Sequence, residues 1–127
     1  RAIELSPDES VIHYTLGNVL ASQGRFAEAA RAFRRASELW PAYAPSYYHL
    51  GQCLAREGQP VEAIEAYRTA TNYDPSFGAA YRQLGAALVD QGRFTEARAA
   101  LERAVALDAK DQAAAAFLRQ LQNRKDP

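Results

Sequence analysis

Two histidines and one cysteine are the residues of this 127-residue chain best suited to metal binding or nucleophilic catalysis. Either activity would need several such groups to converge in one cleft. His13 and His49 fall at different phases of an internal repeat, so we expect their side chains to face different directions. Cys53 aligns with the apolar residues Val19 and Ala87, which predicts a buried structural thiol. We therefore predict no catalytic residue, no metal site and no cofactor.

A strict 34-residue period organises the chain. Leu50-Gly51 follows Leu16-Gly17 by 34 residues, and Leu84-Gly85 follows by the same interval. Other small and apolar residues keep this spacing: Gly24, Gly58 and Gly92; Ala29, Ala63 and Ala97; Phe33, Tyr67 and Leu101; Ala36, Ala70 and Ala104. Such a repeat predicts a solenoid, in which each unit packs on its neighbours.

Two helices are predicted in each repeat, because apolar residues recur three, four and seven positions apart on both sides of a glycine turn. The predicted pairs are Ser10–Ser22 with Phe26–Leu39, Ala44–Arg56 with Pro60–Tyr73, and Gly78–Asp90 with Phe94–Leu107. The small residues of each pair, glycine on the first helix and alanine on the second, are expected to let the two backbones approach closely. A last helix, Gln112–Arg124, is predicted to be capped by Asp111 and to pack through Ala115, Leu118 and Leu121.

The recurring positions resemble the tetratricopeptide repeat (TPR) family. The second repeat matches the family pattern nearly throughout, at Tyr47, Leu50, Gly51, Leu54, Ala63, Tyr67, Ala70 and Pro75. The first repeat departs from it at His13, and Ala109 stands where the other repeats have Pro41 and Pro75. The resemblance covers about residues 10–111. It implies an all-α, right-handed helical-hairpin solenoid of three TPR repeats.

The ends of the chain predict a partial repeat and a capping helix around these three repeats. Arg1–Pro7 parallels Arg35–Pro41, so we expect the chain to begin inside an earlier repeat. Arg119 replaces the glycine of the repeats, and a further helix is not expected to pack there. The predicted single domain, 1–127, comprises 1–9 from the preceding repeat, the repeats 10–43, 44–77 and 78–111, and the capping helix 112–125.

The resemblance also implies a binding groove, because the first helices of successive TPR repeats line a concave surface that holds a partner's peptide or helix. We assign to it the positions that carry neither the packing pattern nor the charges of the second helices. The inward positions are Tyr14, Asn18 and Ala21, then Tyr48, Gln52 and Ala55 flanked by Arg56, then Arg82, Ala86 and Val89. Of these, the residues predicted to contact the ligand are Tyr14, Asn18, Tyr48, Gln52, Arg56 and Arg82. Tyrosine rings offer stiff apolar surface, amides pair with a peptide backbone, and Arg82 suits a carboxylate. The alternative is that these residues are merely solvated surface.

Two ligand modes known in the family are not predicted for this chain. The clamp for chaperone tails uses Lys, Asn, Asn, Lys and Arg at the positions held here by Tyr14, Asn18, His49, Ala79 and Gln83, so only Asn18 agrees. The asparagine ladder of the sugar-transferring TPR enzymes would require asparagine at Thr15, His49 and Gln83. The resemblance therefore implies a non-catalytic protein–protein interaction scaffold of another specificity. The alternative is a recognition or regulatory arm of a larger enzyme whose catalytic domain lies outside this sequence.

The composition of the chain indicates which classes of partner to expect. The 15 positive and 15 negative side chains balance, so a basic surface for nucleic acid is not expected. No apolar run has the length of a membrane span. We expect protein or peptide partners, no nucleic acid, no membrane insertion, and a cytoplasmic location unless a signal or anchor precedes the chain.

Two apolar features lie outside the repeat pattern. Trp40 replaces the aspartate found at Asp74 and Asp108, and we expect it to cover a loop between repeats rather than to anchor a partner. Ile12 and Leu16 lie on the first helix beside His13, where a preceding repeat would normally pack. This face is predicted to be exposed and to permit self-association.

Overall fold

The computed structural model describes residues 7–122 and 124–126 of the chain. The described residues form seven helices and no strand: α1 (Pro7–Ser22), α2 (Phe26–Leu39), α3 (Ala44–Arg56), α4 (Pro60–Tyr73), α5 (Gly78–Asp90), α6 (Phe94–Leu107) and α7 (Gln112–Leu121). Helices α1 to α4 belong to one compact unit, Arg1–Tyr73, and α5 to α7 to a second, Asp74–Pro127. The predicted all-α class is confirmed.

Glycine turns close the three helical hairpins α1–α2, α3–α4 and α5–α6. Gly24, Gly58 and Gly92 have φ angles of 78°, 74° and 72°, a region that residues with a Cβ rarely adopt. The residue after each glycine donates its N–H to a carbonyl five residues earlier at 2.9 Å, in the pairs Arg25–Leu20, Gln59–Leu54 and Arg93–Leu88. This is the Schellman arrangement that ends a helix, as the spacing predicted.

A glycine within the first helix of each repeat packs against a large side chain of the partner helix. A Cβ added at these glycines would lie 2.8, 2.6 or 2.5 Å from the facing side chain, in the pairs Gly17–Phe33, Gly51–Tyr67 and Gly85–Leu101. Ala29, Ala63 and Ala97 are fully buried. The predicted need for small residues is confirmed, but the space beside each glycine is filled by a side chain and not by the other backbone.

The first helix begins at Pro7, three residues before the predicted start at Ser10. Proline is tolerated in the first turn of a helix. Asp8 and Glu9 lie in the first turn of α1, where negative charge interacts favourably with the positive end of the helix dipole. Ser10 is then a buried helical residue whose hydroxyl donates to the Ala36 carbonyl at 2.9 Å. Residues 7–9 therefore form the beginning of α1. Residues 1–6 of that predicted segment lie outside the described residues.

The last helix ends at Leu121 and not at Arg124 as predicted. Asp111 caps its start as expected, because Oδ1 accepts from the Ala114 N–H at 3.0 Å. At the other end, Arg98 Nη2 donates to the carbonyls of Leu121 and Arg124, each at 2.9 Å, and so takes up a carbonyl left free where the helix stops.

The packing face of α7 also differs in part from the prediction. Leu121 is buried as predicted, and Ala114 is fully buried although it was not assigned to this face. Ala115 and Leu118 are only half-buried. Arg119 is exposed, as expected for the outer side of a capping helix.

The outer face of α1 is apolar and exposed, as the sequence predicted. Val11, Ile12, Leu16 and Val19 are 53%, 65%, 46% and 47% exposed, whereas Leu50, which aligns with Leu16, is 7% exposed. Self-association through this face stays a prediction. In the part of the chain that the structure describes, no helix is long and apolar enough to cross a bilayer.

Trp40 caps the C-terminus of α2 directly after Leu39. Its ring stacks on Tyr43 in the α2–α3 loop, with ring centroids 4.6 Å apart and an angle of 11° between the planes. The indole is half-buried. This placement agrees with the prediction that Trp40 covers a loop between repeats.

Candidate functional site

Five rings from α1, α2, α3 and the α2–α3 loop form an aromatic cluster in the first unit: Tyr14, Phe33, Tyr43, Tyr48 and His49. Tyr14 meets Phe33, Tyr43 and His49 edge-on, at centroid distances of 5.6, 5.5 and 5.5 Å. His49 stacks on Phe33 at 5.4 Å and is met edge-on by Tyr48 at 5.2 Å. Because Phe33 is 1% exposed and packs on Gly17, it ties this cluster to the core of the first hairpin.

A short hydrogen-bonded chain on α3 fixes the polar edge of the cluster. His49 Nδ1 lies 3.1 Å from Gln52 Oε1, and Gln52 Nε2 donates to Tyr48 Oη at 3.3 Å. Burial lowers the pKa of His49 below its usual value, so the imidazole is neutral at pH 7. With Gln52 in this orientation, Nδ1 must carry the proton, since Oε1 can only accept. These two contacts hold the Gln52 side chain between His49 and Tyr48.

A cleft of about 180 Å³ opens beside this chain. It is lined by Ala21, Phe26, Phe33, His49, Gln52, Cys53 and Arg56. The Arg56 guanidinium lies 5.3 Å from the centre of the Phe26 ring, a cation–π distance. Arg56 is exposed, and among the described residues no carboxylate pairs with it. The cleft therefore combines the rings of Phe26, Phe33 and His49 with the amide of Gln52 and the guanidinium of Arg56.

Five of the six residues predicted to contact the ligand lie on α1 and α3 in this unit. Asn18 and Arg56 are exposed, whereas Tyr14, Tyr48 and Gln52 are half-buried. Burial and the neighbouring Tyr43 raise the pKa of Tyr14, while a side-chain hydrogen bond with Asn18 acts in the opposite direction. Tyr14 is thus a neutral packing residue of the cluster that presents only part of its ring.

Arg82, the sixth assigned residue, lies in the second unit and already has an acidic partner. Its Nη1 is 3.0 Å from Asp111 Oδ2, and the two side chains are 31% and 7% exposed. Since Asp111 also caps α7, this ion pair fastens α7 to α5. A carboxylate from a partner would have to compete with Asp111 for the guanidinium.

Sequence reasoning missed His49, Phe26 and Phe33 as parts of the candidate site. His49 aligns with Thr15 and Gln83, which share no chemistry with it, so the repeat register gave no signal. The useful signal was helical spacing, because residues three and four positions apart lie on one side of a helix. His49, Gln52 and Cys53 meet that condition, and all three line the cleft.

The single cysteine is buried, as predicted, at 2% exposure. Burial, followed by the nearby charge of Glu57, raises the pKa of Cys53 to about 11. In the described part of the chain no group of three or more His, Cys, Asp or Glu side chains is arranged to hold a metal ion.

We expect Cys53 to react with a disulfide reagent about 100-fold more slowly in the folded chain than in denaturant, because at pH 8 the raised pKa lowers the thiolate fraction by that factor. The rate should keep rising with pH towards about 11. Absorbance from released thionitrobenzoate measures it, with the unfolded chain as control. A rate that levels off near pH 9, or equal rates in both states, would show an accessible thiol.

The sequence was compared with models of protein families and with curated proteins. Two family models for the tetratricopeptide repeat match residues 14–77 and 54–121. The search of curated proteins found no match.

Several solved TPR domains have a similar structure. The first TPR domain of Spaghetti (RPAP3), bound to an HSP90 peptide, has a TM-score of 0.91 at 21% identity, covering 95% of this chain and 96% of that one. The second TPR domain of human RPAP3, in complex with an HSP70 peptide, has a TM-score of 0.86 at 20% identity, covering 94% and 100%. The Yersinia enterocolitica type III secretion chaperone SycD, with a peptide of the translocator YopD, has a TM-score of 0.86 at 21% identity, covering 92% and 95%. From the repeat pattern, the helical hairpins and these matches, we conclude that the chain belongs to the tetratricopeptide repeat family.

Proposed function

We propose that this chain is a non-catalytic protein–protein interaction module that binds an extended or helical segment of a partner protein on the α1–α3 surface of its first unit. The observation that carries the proposal is the cleft between Phe26, His49 and Arg56, a recess of mixed aromatic and polar lining with a guanidinium at its edge that has no ion-pair partner among the described residues. Aromatic and arginine side chains are the residue types that contribute most to binding at protein interfaces.

The structural relatives support a peptide as the ligand. The domains of Spaghetti (RPAP3), human RPAP3 and SycD were each solved with a peptide of another protein, and this chain shares their fold. Fold alone does not transfer specificity. The clamp positions for chaperone tails carry Tyr14 and His49 here, and both rings are packed in the aromatic cluster. The proposed ligand is therefore a segment other than a chaperone tail.

In this proposal the surface residues have separate tasks. The partly exposed rings of Tyr14 and Tyr48 provide rigid apolar contact that loses little conformational entropy on binding. Asn18 is exposed and can pair with both groups of a peptide backbone amide. Arg56 can hold a carboxylate with two parallel N–H···O bonds. The hydrogen-bonded chain from His49 through Gln52 to Tyr48 keeps this edge in place.

Affinity capture from a lysate of the source cells tests the proposal. The test variant combines Asn18→Ala, Tyr48→Ala and Arg56→Ala. The control variant combines Arg31→Ala, Arg35→Ala and Glu38→Ala on the outer side of α2, where Arg35 and Glu38 form an exposed ion pair at 3.3 Å. Circular dichroism should show that both variants are folded like the parent.

A partner captured by the parent should be retained by the control variant and reduced at least about tenfold by the test variant, which corresponds to about 1.4 kcal/mol. Equal capture by all three chains would refute the α1–α3 surface. Loss of the partner from the control variant alone would move the binding site to the outer side of α2.

A further inference from the structure

The second unit contains a cleft that is equivalent in register to the one in the first unit. It has a volume of about 240 Å³ and is lined by Val89, Gln120, Leu121 and Arg124. Each of these residues stands 68 residues, or two repeat lengths, after a residue that lines the first cleft: Ala21, Gln52, Cys53 and Arg56. Each of the two clefts is thus lined by a glutamine and by an arginine that follows it by one helical turn in the sequence.

The arginine has the same aromatic neighbour in both places. The Arg124 guanidinium lies 5.4 Å from the centre of the Phe94 ring, and Arg56 lies 5.3 Å from that of Phe26. Phe94 follows Phe26 by the same two repeat lengths. The arginine–phenylalanine distance therefore recurs, and with the glutamine these residues form a triad that occurs once in each unit.

The triad is not a consequence of the 34-residue packing pattern. One repeat length after Phe26, Gln52 and Arg56 the sequence carries Pro60, Ala86 and Asp90. The residues that pack the hairpins recur in every repeat, whereas all three members of the triad are replaced at the positions one repeat length further on. We attribute this alternation to recognition, because the hairpins of the fold form without the triad.

The chemistry of both clefts points to an apolar side chain beside a carboxylate. The volumes are below the range of about 300–1,000 Å³ typical of small-molecule pockets, and they suit a single side chain. Arg56 and Arg124 are exposed, and neither has a carboxylate partner among the described residues. An arginine lying over a ring keeps the N–H groups at the edge of its guanidinium available for a bidentate carboxylate.

We propose that each unit carries one subsite for an apolar residue followed by an acidic one of a partner segment. The proposal rests on the function proposed above and specifies its ligand. We assign the carboxylate to an aspartate or glutamate side chain, because an acidic residue can follow an apolar one anywhere in a segment, whereas a terminal carboxylate occurs only once.

NMR titration of the full chain with short peptides tests this proposal. The probe is an acetylated, amidated peptide with one Leu-Glu pair between glycine and serine residues. Its controls carry Leu-Gln or Ser-Glu, and a fourth peptide ends in Leu with a free carboxylate. Concentrations of up to about 5 mM are needed, since so small a contact binds in the millimolar range.

The Leu-Glu peptide should shift the amide signals around Gln52 and Arg56 and, with an affinity within about tenfold, those around Gln120 and Arg124. Leu-Gln and Ser-Glu should bind at least about fivefold more weakly at both places. Arg56→Gln should abolish only the first set of shifts and Arg124→Gln only the second. Arg31→Gln and Arg119→Gln, exposed and outside both clefts, should abolish neither.

Shifts confined to one unit, equal binding of Leu-Glu and Leu-Gln, or no shift at the highest concentration would overturn the twin subsites. Preference for the peptide with the free terminal carboxylate would overturn the assignment to acidic side chains. The two proposals can fail separately. If the captured partner is lost with Arg56→Gln and kept in full with Arg124→Gln, the interaction function stands and the second subsite does not.

Discussion

Replacing Phe33 with alanine is expected to lower the free energy of unfolding by about 3–5 kcal/mol, the range for truncating a buried phenylalanine. Phe33 is 1% exposed, fills the space beside Gly17 and stacks on His49. Its removal leaves a cavity where the first hairpin meets the aromatic cluster. Since whole domains have stabilities of about 5–15 kcal/mol, this one change should bring the first unit close to unfolding.

Urea denaturation followed by circular dichroism measures this effect. Phe33→Leu is the matched control, because the third repeat carries Leu101 at the same position, packed on Gly85. We expect the leucine variant to keep most of the stability. A loss below about 1 kcal/mol for Phe33→Ala would mean that the cluster does not depend on this ring.

Replacing Gly51 with valine is expected to lower the free energy of unfolding by about 2–3 kcal/mol through overpacking. A Cβ at this position would lie 2.6 Å from the Tyr67 ring, and Tyr67 is 2% exposed, so the ring has little room to move away. The lower stability should appear as a lower midpoint of thermal unfolding. The clash outweighs the small gain in helix propensity that follows when glycine is replaced.

Ala55→Val provides the control for this substitution. Ala55 is exposed on the same helix, so it measures the effect of a β-branched residue in α3 without a clash. The chain carrying both Gly51→Val and Tyr67→Ala should lose less than the sum of the two single losses, since removing the ring makes room for the valine. Strict additivity would contradict the contact.

The helices of the fold were predictable because their determinants are local and repeat three times. The spacing of apolar residues and the three turn glycines placed both ends of α2 to α6 correctly. The start of α1 was not predicted, because Pro7 was aligned with Pro41, which lies just after α2. Pro7 precedes Asp8 and Glu9, which favour a helix start, whereas Pro41 precedes Ala42 and Tyr43.

The candidate site was predictable only in part, because its contacts join residues far apart in sequence. Helical register placed Asn18 and Arg56 on the surface, where the structure has them. It did not show that His49 stacks on Phe33, since no other repeat has a ring at the position of His49. Nor did it show that Arg82 pairs with Asp111, because that contact needs α7 in place against α5.

Photocrosslinking from the α1–α3 surface tests the central claim most directly. A photoreactive phenylalanine derivative is introduced at Ala55, which is exposed beside Arg56 and is assigned no part in binding, or at Arg31 on the outer side of α2. The partner identified by affinity capture is then crosslinked and the product mapped by mass spectrometry. We predict a crosslink from position 55 to a partner segment in which an apolar residue precedes an acidic one, and none from position 31. A crosslink from position 31 with none from position 55 would contradict the account.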